Sequence, residues 1–410
     1  MTSADYRHGL PREVIDAGDG VLRLRPTWVP RSFASPGRRL RLAERDLYRY
    51  GAHRGGIDER WLASTTPADN GPLTTPDEGL SYVLDGDNVG PTLAAVVAAE
   101  PETMLGRRLT AEYGRWPVYA KFFDNDGPLP HHLHHRAEHA AAVGREPKPE
   151  AYYFPPQMNA TPATWPISFF GLEAGTSRDE VRRCLERWDE GDNGILDLAR
   201  GFRLERGTGW VIPPGVLHAP GSFCTFEVQW GSDVFSMFQS MVDGRPMPRD
   251  VLMKDVPADR QGDYEFVLDL VDWDANTDPA LKANLFRRPA AIGDTAGRGY
   301  VDRWVIYGLI GGRDYFAARE LTVQPGASVR LVDPGASGLV VVQGTGRIGR
   351  WPARVTSYVR FGELTADEFF VSAAAAAEGI EIENTGHDEL VLLRYFGPDV
   401  NAGMPTTGGN

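Results

Sequence analysis

Short apolar runs separated by glycine and proline set the pattern of this chain. Val118–Phe123, Ala151–Phe154, Trp210–Ile212, Phe223–Trp230, Val305–Ile310, Arg319–Val323 and Gly338–Val342 each read as a strand. The 46 glycines and 31 prolines are spread along the chain and supply turns between them, as at Gln324-Pro325-Gly326-Ala327 and Gln343-Gly344-Thr345-Gly346. Helical signals are fewer. Ser177 or Thr176 can cap a helix starting near Arg178, with Glu180 placed for a capping box and Val181, Leu185 and Trp188 as the apolar stripe. A second helical signal lies near Ile195–Leu198. The stretch 275–299 is polar and turn-rich, and short strands resume from Tyr300 to about Gly397. The pattern predicts a mainly β protein of two β-barrels, residues 1–285 and 286–410, related by an old duplication.

Composition narrows the class. A chain of 410 residues has room for two domains. A net charge of −13 argues against non-specific nucleic-acid binding, which needs a basic surface, but leaves an anionic small substrate open. Two cysteines, Cys184 and Cys224, make no disulfide framework, so a reduced compartment is the simplest reading. The opening MTSADYRHGLPREV lacks the apolar core of a signal peptide, and the alanine runs at 94–99 and 373–377 are too short to span a membrane. A cytoplasmic protein with no membrane partner is expected; its oligomeric state is not legible.

The candidate chemistry lies in the histidines. Five of the nine fall between His131 and His139. On a strand, residues i and i+2 share a face, so His132 and His134 can aim two imidazoles at one point. Glu150 on a neighbouring strand and His218, after the turn Pro213-Pro214-Gly215, can complete a metal site. Imidazole and carboxylate suit one divalent ion: zinc, manganese, iron, cobalt or nickel. His131 and His135 alternate away from that point and belong at the surface or behind the ligands. The bland alternatives are a solvated histidine-rich loop and a salt bridge from Glu150 to Lys121 or Lys148.

Around these residues the chain resembles the type I phosphomannose isomerases, zinc enzymes of the cupin superfamily. The resemblance is carried by Lys121-Phe122-Phe123-Asp124 continuing to Pro128-Leu129-Pro130-His131-His132-Leu133-His134, by Lys148-Pro149-Glu150-Ala151-Tyr152-Tyr153, and by Gly171-Leu172-Glu173-Ala174-Gly175-Thr176-Ser177. Ile212 through Ala219, Glu227-Val228-Gln229-Trp230-Gly231-Ser232-Asp233 and Glu59-Arg60-Trp61-Leu62-Ala63-Ser64 extend it over about Glu59 to Asp233. It implies two cupin barrels of the jelly-roll type. The first carries the metal and a helical insertion at about 171–200; the second is degenerate and metal-free. It also implies the ligands His132, His134, Glu150 and His218. The sequence departs from the family at two places: His132 stands where the first ligand is usually glutamine, and Met237 where an arginine is thought to serve catalysis.

The function implied is a metal-dependent aldose–ketose isomerase acting on a sugar or sugar phosphate through a cis-enediol. Lys121, Lys148 and Glu227 are the candidates for proton transfer. With Met237 in place of the arginine, turnover of mannose 6-phosphate should be weak unless Arg136 or Arg203 fills the same space. A cupin oxygenase using a three-histidine, one-glutamate site and a non-catalytic sugar-binding protein remain alternatives. Gly344-Thr345-Gly346-Arg347-Ile348-Gly349 spells a dinucleotide-binding fingerprint, but Pro352 follows where a helix should open, so a hairpin is expected there.

Overall fold

The computed structural model describes residues 10–293 and 295–405, so the first nine residues of the stretch read for a signal peptide lie outside it. Each expected strand forms, most with ends shifted by a residue or two: Val118–Phe123, Glu150–Tyr153, Gly209–Ile212, Thr225–Trp230, Ala317–Val323 and Ser337–Gln343. The largest displacement is Val305–Ile310, which is instead Tyr300–Ile306. Gly308, at φ 113°, turns the chain out of the sheet just beyond it.

In the first half, a seven-stranded sheet runs in the order Phe286–Arg287, Gly209–Ile212, Glu150–Tyr153, Thr225–Trp230, Val118–Phe123, Gly56–Leu62, Thr27–Arg31. A five-stranded sheet runs Ala199–Arg203, Ile167–Leu172, His218–Ala219, His132–Leu133, Ser236–Met237. The second half repeats the scheme with seven and four strands, the smaller sheet made of Ser328–Leu331, Ile380–Asn384, Thr345–Ile348 and Trp351–Arg354. The glycine-rich fingerprint is a hairpin: Thr345–Ile348 pairs with Trp351–Arg354, and no helix opens.

The two large sheets meet along one apolar seam. Phe122, Phe226, Val228 and Ala151 from the first pack with Val340, Phe370, Val391 and Leu393 from the second. The pairing also crosses the expected division at 285/286 from both sides. Val21–Arg23 pairs with Phe369–Val371 in the C-terminal sheet, while Phe286–Arg287 joins Gly209–Trp210 in the first.

The helix expected at Arg178 spans Arg178–Glu186 with the complete Ser177–Glu180 capping box. Trp188 falls in the turn after it but stays buried. Val181, Leu185 and Trp188 cluster with Leu133, Leu217, Leu252 and Leu268 on the side of the five-stranded sheet away from the imidazoles. A helical block absent from the pattern reading, Leu93–Ala99, Pro101–Leu105 and Arg107–Tyr113, is cut into short pieces where Pro101 and Gly106 fall. Both cysteines are buried and free. Among the described residues no helix is long and apolar enough to cross a membrane.

Candidate metal centre

Strand alternation builds the site. Glu227 lies opposite Lys121 on one neighbour and Tyr152 on the other, so these side chains share a face, and Glu150 joins them two residues from Tyr152. Glu59 and Trp61 extend the row on Gly56–Leu62. Asp58, next to Glu59, should point the other way. A bulge between Val29 and Pro30 leaves Asp58 without a partner on Thr27–Arg31, and both acids line one pocket. From the facing sheet, His132 lies between His218 and Met237. The pocket encloses about 560 Å³ of empty space, part of it open to solvent.

The three imidazoles His132, His134 and His218 converge, with a ring nitrogen of each within 4.8 Å of the others. Each fixes its tautomer against the backbone: Nδ1–H donates to the carbonyl of Pro130 from His132 (2.7 Å), of Val234 from His134 (2.8 Å) and of Val216 from His218 (2.9 Å). A carbonyl can only accept, so Nδ1 holds the proton and Nε2 presents its lone pair when the ring is neutral. Burial, then the charges of His218 and His134, pushes His132 well below the usual imidazole value; burial, then Lys148, brings His134 down to about 4.

Glu150 stands within reach of two of these nitrogens, 2.9 Å from His134 Nε2 and 3.0 Å from His218 Nε2. The latter is buried with no hydrogen-bond partner. A lone pair facing a carboxylate at that distance is repulsive unless a cation lies between them. The donor set therefore fits a divalent ion held by nitrogen and oxygen. The salt-bridge alternative is also present: Lys148 Nζ lies 3.0 Å from Glu150 and donates to His134 Nε2 at 3.2 Å. Tyr152 donates its hydroxyl to Glu150 as well.

The rest of the pocket is a connected set of charges. Lys121 contacts Glu59 at 2.9 Å and Glu227 at 3.3 Å; Lys148 reaches Glu227 at 3.6 Å; Arg31 contacts Glu59 at 3.1 Å and Asp233 at 3.5 Å. Among the described residues lining it are five carboxylates, Asp58, Glu59, Glu150, Glu227 and Asp233, against three cations, Arg31, Lys121 and Lys148. Burial opposes charge on Lys121, yet Glu227 and Glu59 raise its pKa above the ordinary lysine value and keep it protonated. Burial, then the charge of Glu150, pushes Glu227 up to about 8 despite both lysines. Burial and the charge of Glu59 also raise Asp58 well above the usual range.

All seven residues singled out from the sequence, Lys121, His132, His134, Lys148, Glu150, His218 and Glu227, thus meet in one place. Of the two places expected for His131 and His135, the surface is not the one they take: both are buried outside the three-imidazole cluster, and His135 bonds Ser236. Neither Arg136 nor Arg203 lines the pocket; Arg136 is held by the Asp269 carbonyl and Glu138, and Arg203 lies at the end of an exposed edge strand. The arginine that does line it is Arg31, at the end of Thr27–Arg31. Pro30 and the lack of alternation in Thr-Trp-Val-Pro-Arg, a strand buried throughout, hid it. Met237 lines the pocket beside Phe33, Leu129, Pro130 and Phe235.

No protein-family model matches the sequence, and no curated protein matches it. Solved structures do match the fold. The mannose 6-phosphate isomerase from Bacillus subtilis is 17% identical, with a TM-score of 0.62 over 92% of this chain and 99% of that one. A variant of the phosphomannose isomerase from Salmonella typhimurium is 13% identical, with a TM-score of 0.60 over 92% and 99%. A zinc-bound mannose 6-phosphate isomerase is also 13% identical, with a TM-score of 0.60 over the same shares. The chain has the two-barrel cupin fold of these isomerases.

Proposed function

We propose that this chain is a metal-dependent aldose–ketose isomerase, with His132, His134, Glu150 and His218 holding one divalent ion, zinc first among the candidates. The observation that carries the reading is the placing of Lys148 and Glu227 against the four ligand residues. Lys148 touches Glu150 and His134, and Glu227 lies 3.6 Å from Lys148. A proton carrier beside a metal site is what enediol chemistry requires. The likeness in fold to mannose 6-phosphate isomerases supports the same reading.

The ion, when bound, polarises the oxygens on the two carbons that exchange a hydrogen. This chain's residues supply the rest. Glu227 takes the proton from one carbon and returns it to the next, and Lys148 orients it and carries positive charge toward the oxygens. Lys121, held charged between Glu59 and Glu227, positions Glu227 and sets its proton affinity. Asp233 and Glu59 fix Arg31 in the wall. A row of proton-transfer groups favours this chemistry over oxygen activation. The test is a panel of aldoses and their phosphates incubated with the zinc-loaded protein in heavy water, with and without oxygen. Interconversion with deuterium entering carbon 2 or carbon 1, independent of oxygen, is expected. Oxygen-dependent product, or sugar bound but unchanged, would overturn the reading.

A further inference from the structure

We propose that the pocket takes an uncharged sugar in preference to a sugar phosphate. The inference rests on the isomerase reading only in taking this pocket as the sugar site. It comes from how the pocket's positive charge is already committed. A phosphate dianion taken out of water needs fixed cations or amide N–H groups with bonding capacity to spare. Among the described lining residues there are three cations, and each lies within 3.6 Å of two carboxyl groups: Arg31 of Glu59 and Asp233, Lys121 of Glu59 and Glu227, Lys148 of Glu150 and Glu227. Arg31 spends a further N–H on the side chain of Asn70.

Behind Phe235, outside the lining, stands a fourth cation, Lys254, whose Nζ is buried without a hydrogen-bond partner. Lys254 Nζ stands 4.3 Å from the ring centroid and 3.7 Å from Asp69, and Arg145 holds the same carboxylate at 3.1 Å. The field of Lys254 also falls on Asp233 and Asp255. The remaining wall is hydrocarbon: Phe33, Phe123, Leu129, Pro130, Phe235 and Met237. Such a wall suits the C–H faces of a sugar ring or chain, whose hydroxyls can then bond the carboxylates as donors. A row of carboxylates accepts hydroxyl protons well and repels phosphate oxygens.

The test is calorimetric titration of the zinc-loaded full chain with D-mannitol and with its 6-phosphate, together with turnover assays of D-mannose and mannose 6-phosphate on the same preparation. Mannitol should bind, and its phosphate should bind about tenfold more weakly or worse. Asp233→Asn releases one partner of Arg31 and makes the wall one charge less negative, so it should shift the ratio of the two dissociation constants toward the phosphate by about tenfold. Asp233→Glu, which keeps the charge, should leave the ratio in place. Because the ratio is internal to one sample, a smaller folded fraction does not move it. Equal or tighter binding of the phosphate, binding of neither compound, or a ratio that Asp233→Asn does not shift would each overturn the proposal. Preferential binding of mannitol with no sugar isomerised would remove the isomerase reading and leave this one standing.

Discussion

At the centre of each large sheet one strand is flanked by two neighbours, and the residues meeting there differ in kind. In the second half Leu392 lies between Leu321 and Val341, and the small sheet closes over them with Val329, Ile348 and Ile382. In the first half Glu227 lies between Lys121 and Tyr152, and the small sheet brings His132 and His218. The strand frame is shared, and the opposite faces of both sheets are packed on each other mostly through apolar side chains. One sandwich is filled at its centre with hydrocarbon, which gains stability from burial, and keeps the buried Arg394 paired with Asp302 and Asp333 to the side. The other is filled with charge, which costs free energy unless every group is paired. The apolar seam with its hydrocarbon-filled neighbour supports the charged sandwich from behind, so its interior is free to serve chemistry.

The sharpest way to break this comparison is at the ligands. His218→Ala should lower metal affinity by about a hundredfold or more and abolish turnover, read by metal analysis after dialysis. His131→Ala, at the residue just before the His132–Leu133 strand, should leave the site mostly filled; equal metal loss from the two variants would put the ligands in the wrong register. Next is Glu227→Gln, an isosteric change at the centre of the charged sheet. It should retain zinc and cost about 10²- to 10⁴-fold in kcat; near-normal kcat would remove Glu227 as the proton carrier. Leu392→Ala, its counterpart in the second sheet, should cost about 2–5 kcal/mol in denaturant unfolding. The folded variant should keep its zinc.

The smallest effect concerns the seam. Glu368 accepts the N–H of Ala63 and lies 3.0 Å from Arg60, joining the two halves. Burial pushes its pKa up from 4.5 to about 7, with Arg60 pulling the other way. Because the folded value lies above the ordinary one, folding takes up a proton. This contribution to stability is full below about pH 4.5 and is lost as pH rises through about 7. Compared with Glu368→Gln, the wild-type chain should therefore fall behind by about 1–3 kcal/mol between about pH 5 and about pH 8. Parallel unfolding midpoints across that range would show that Glu368 does not titrate there.

How much of this was legible depended on distance along the chain. The His132-Leu133-His134 alternation and the Pro213–His218 turn are local patterns, and the fold keeps them local. Leu133 is buried on one face because the imidazoles take the other. Lys121, Glu150 and Glu227 were legible through motif spacing. Arg31 and Asp58 were not, since one stands at the end of a strand without alternation and the other reaches the pocket through a bulge set by pairing with another strand. Nothing near Val21 announces Val371 as its partner. The helices between Leu93 and Tyr113 are short pieces whose stability comes from what they pack on rather than from their own periodicity.

That last pairing has a consequence for the order of folding. Val21–Arg23 covers the outer edge of Glu368–Val371, a strand reading Glu-Phe-Phe-Val. During synthesis the covering segment leaves the ribosome long before the strand it covers, and must be held in reserve while the first sandwich forms. The final step draws an early segment of the polypeptide back to a late one, a slow, long-range closure. Until it happens the nascent protein displays an unpaired aromatic edge open to neighbouring chains. A fragment beginning at residue 286 would display that edge permanently.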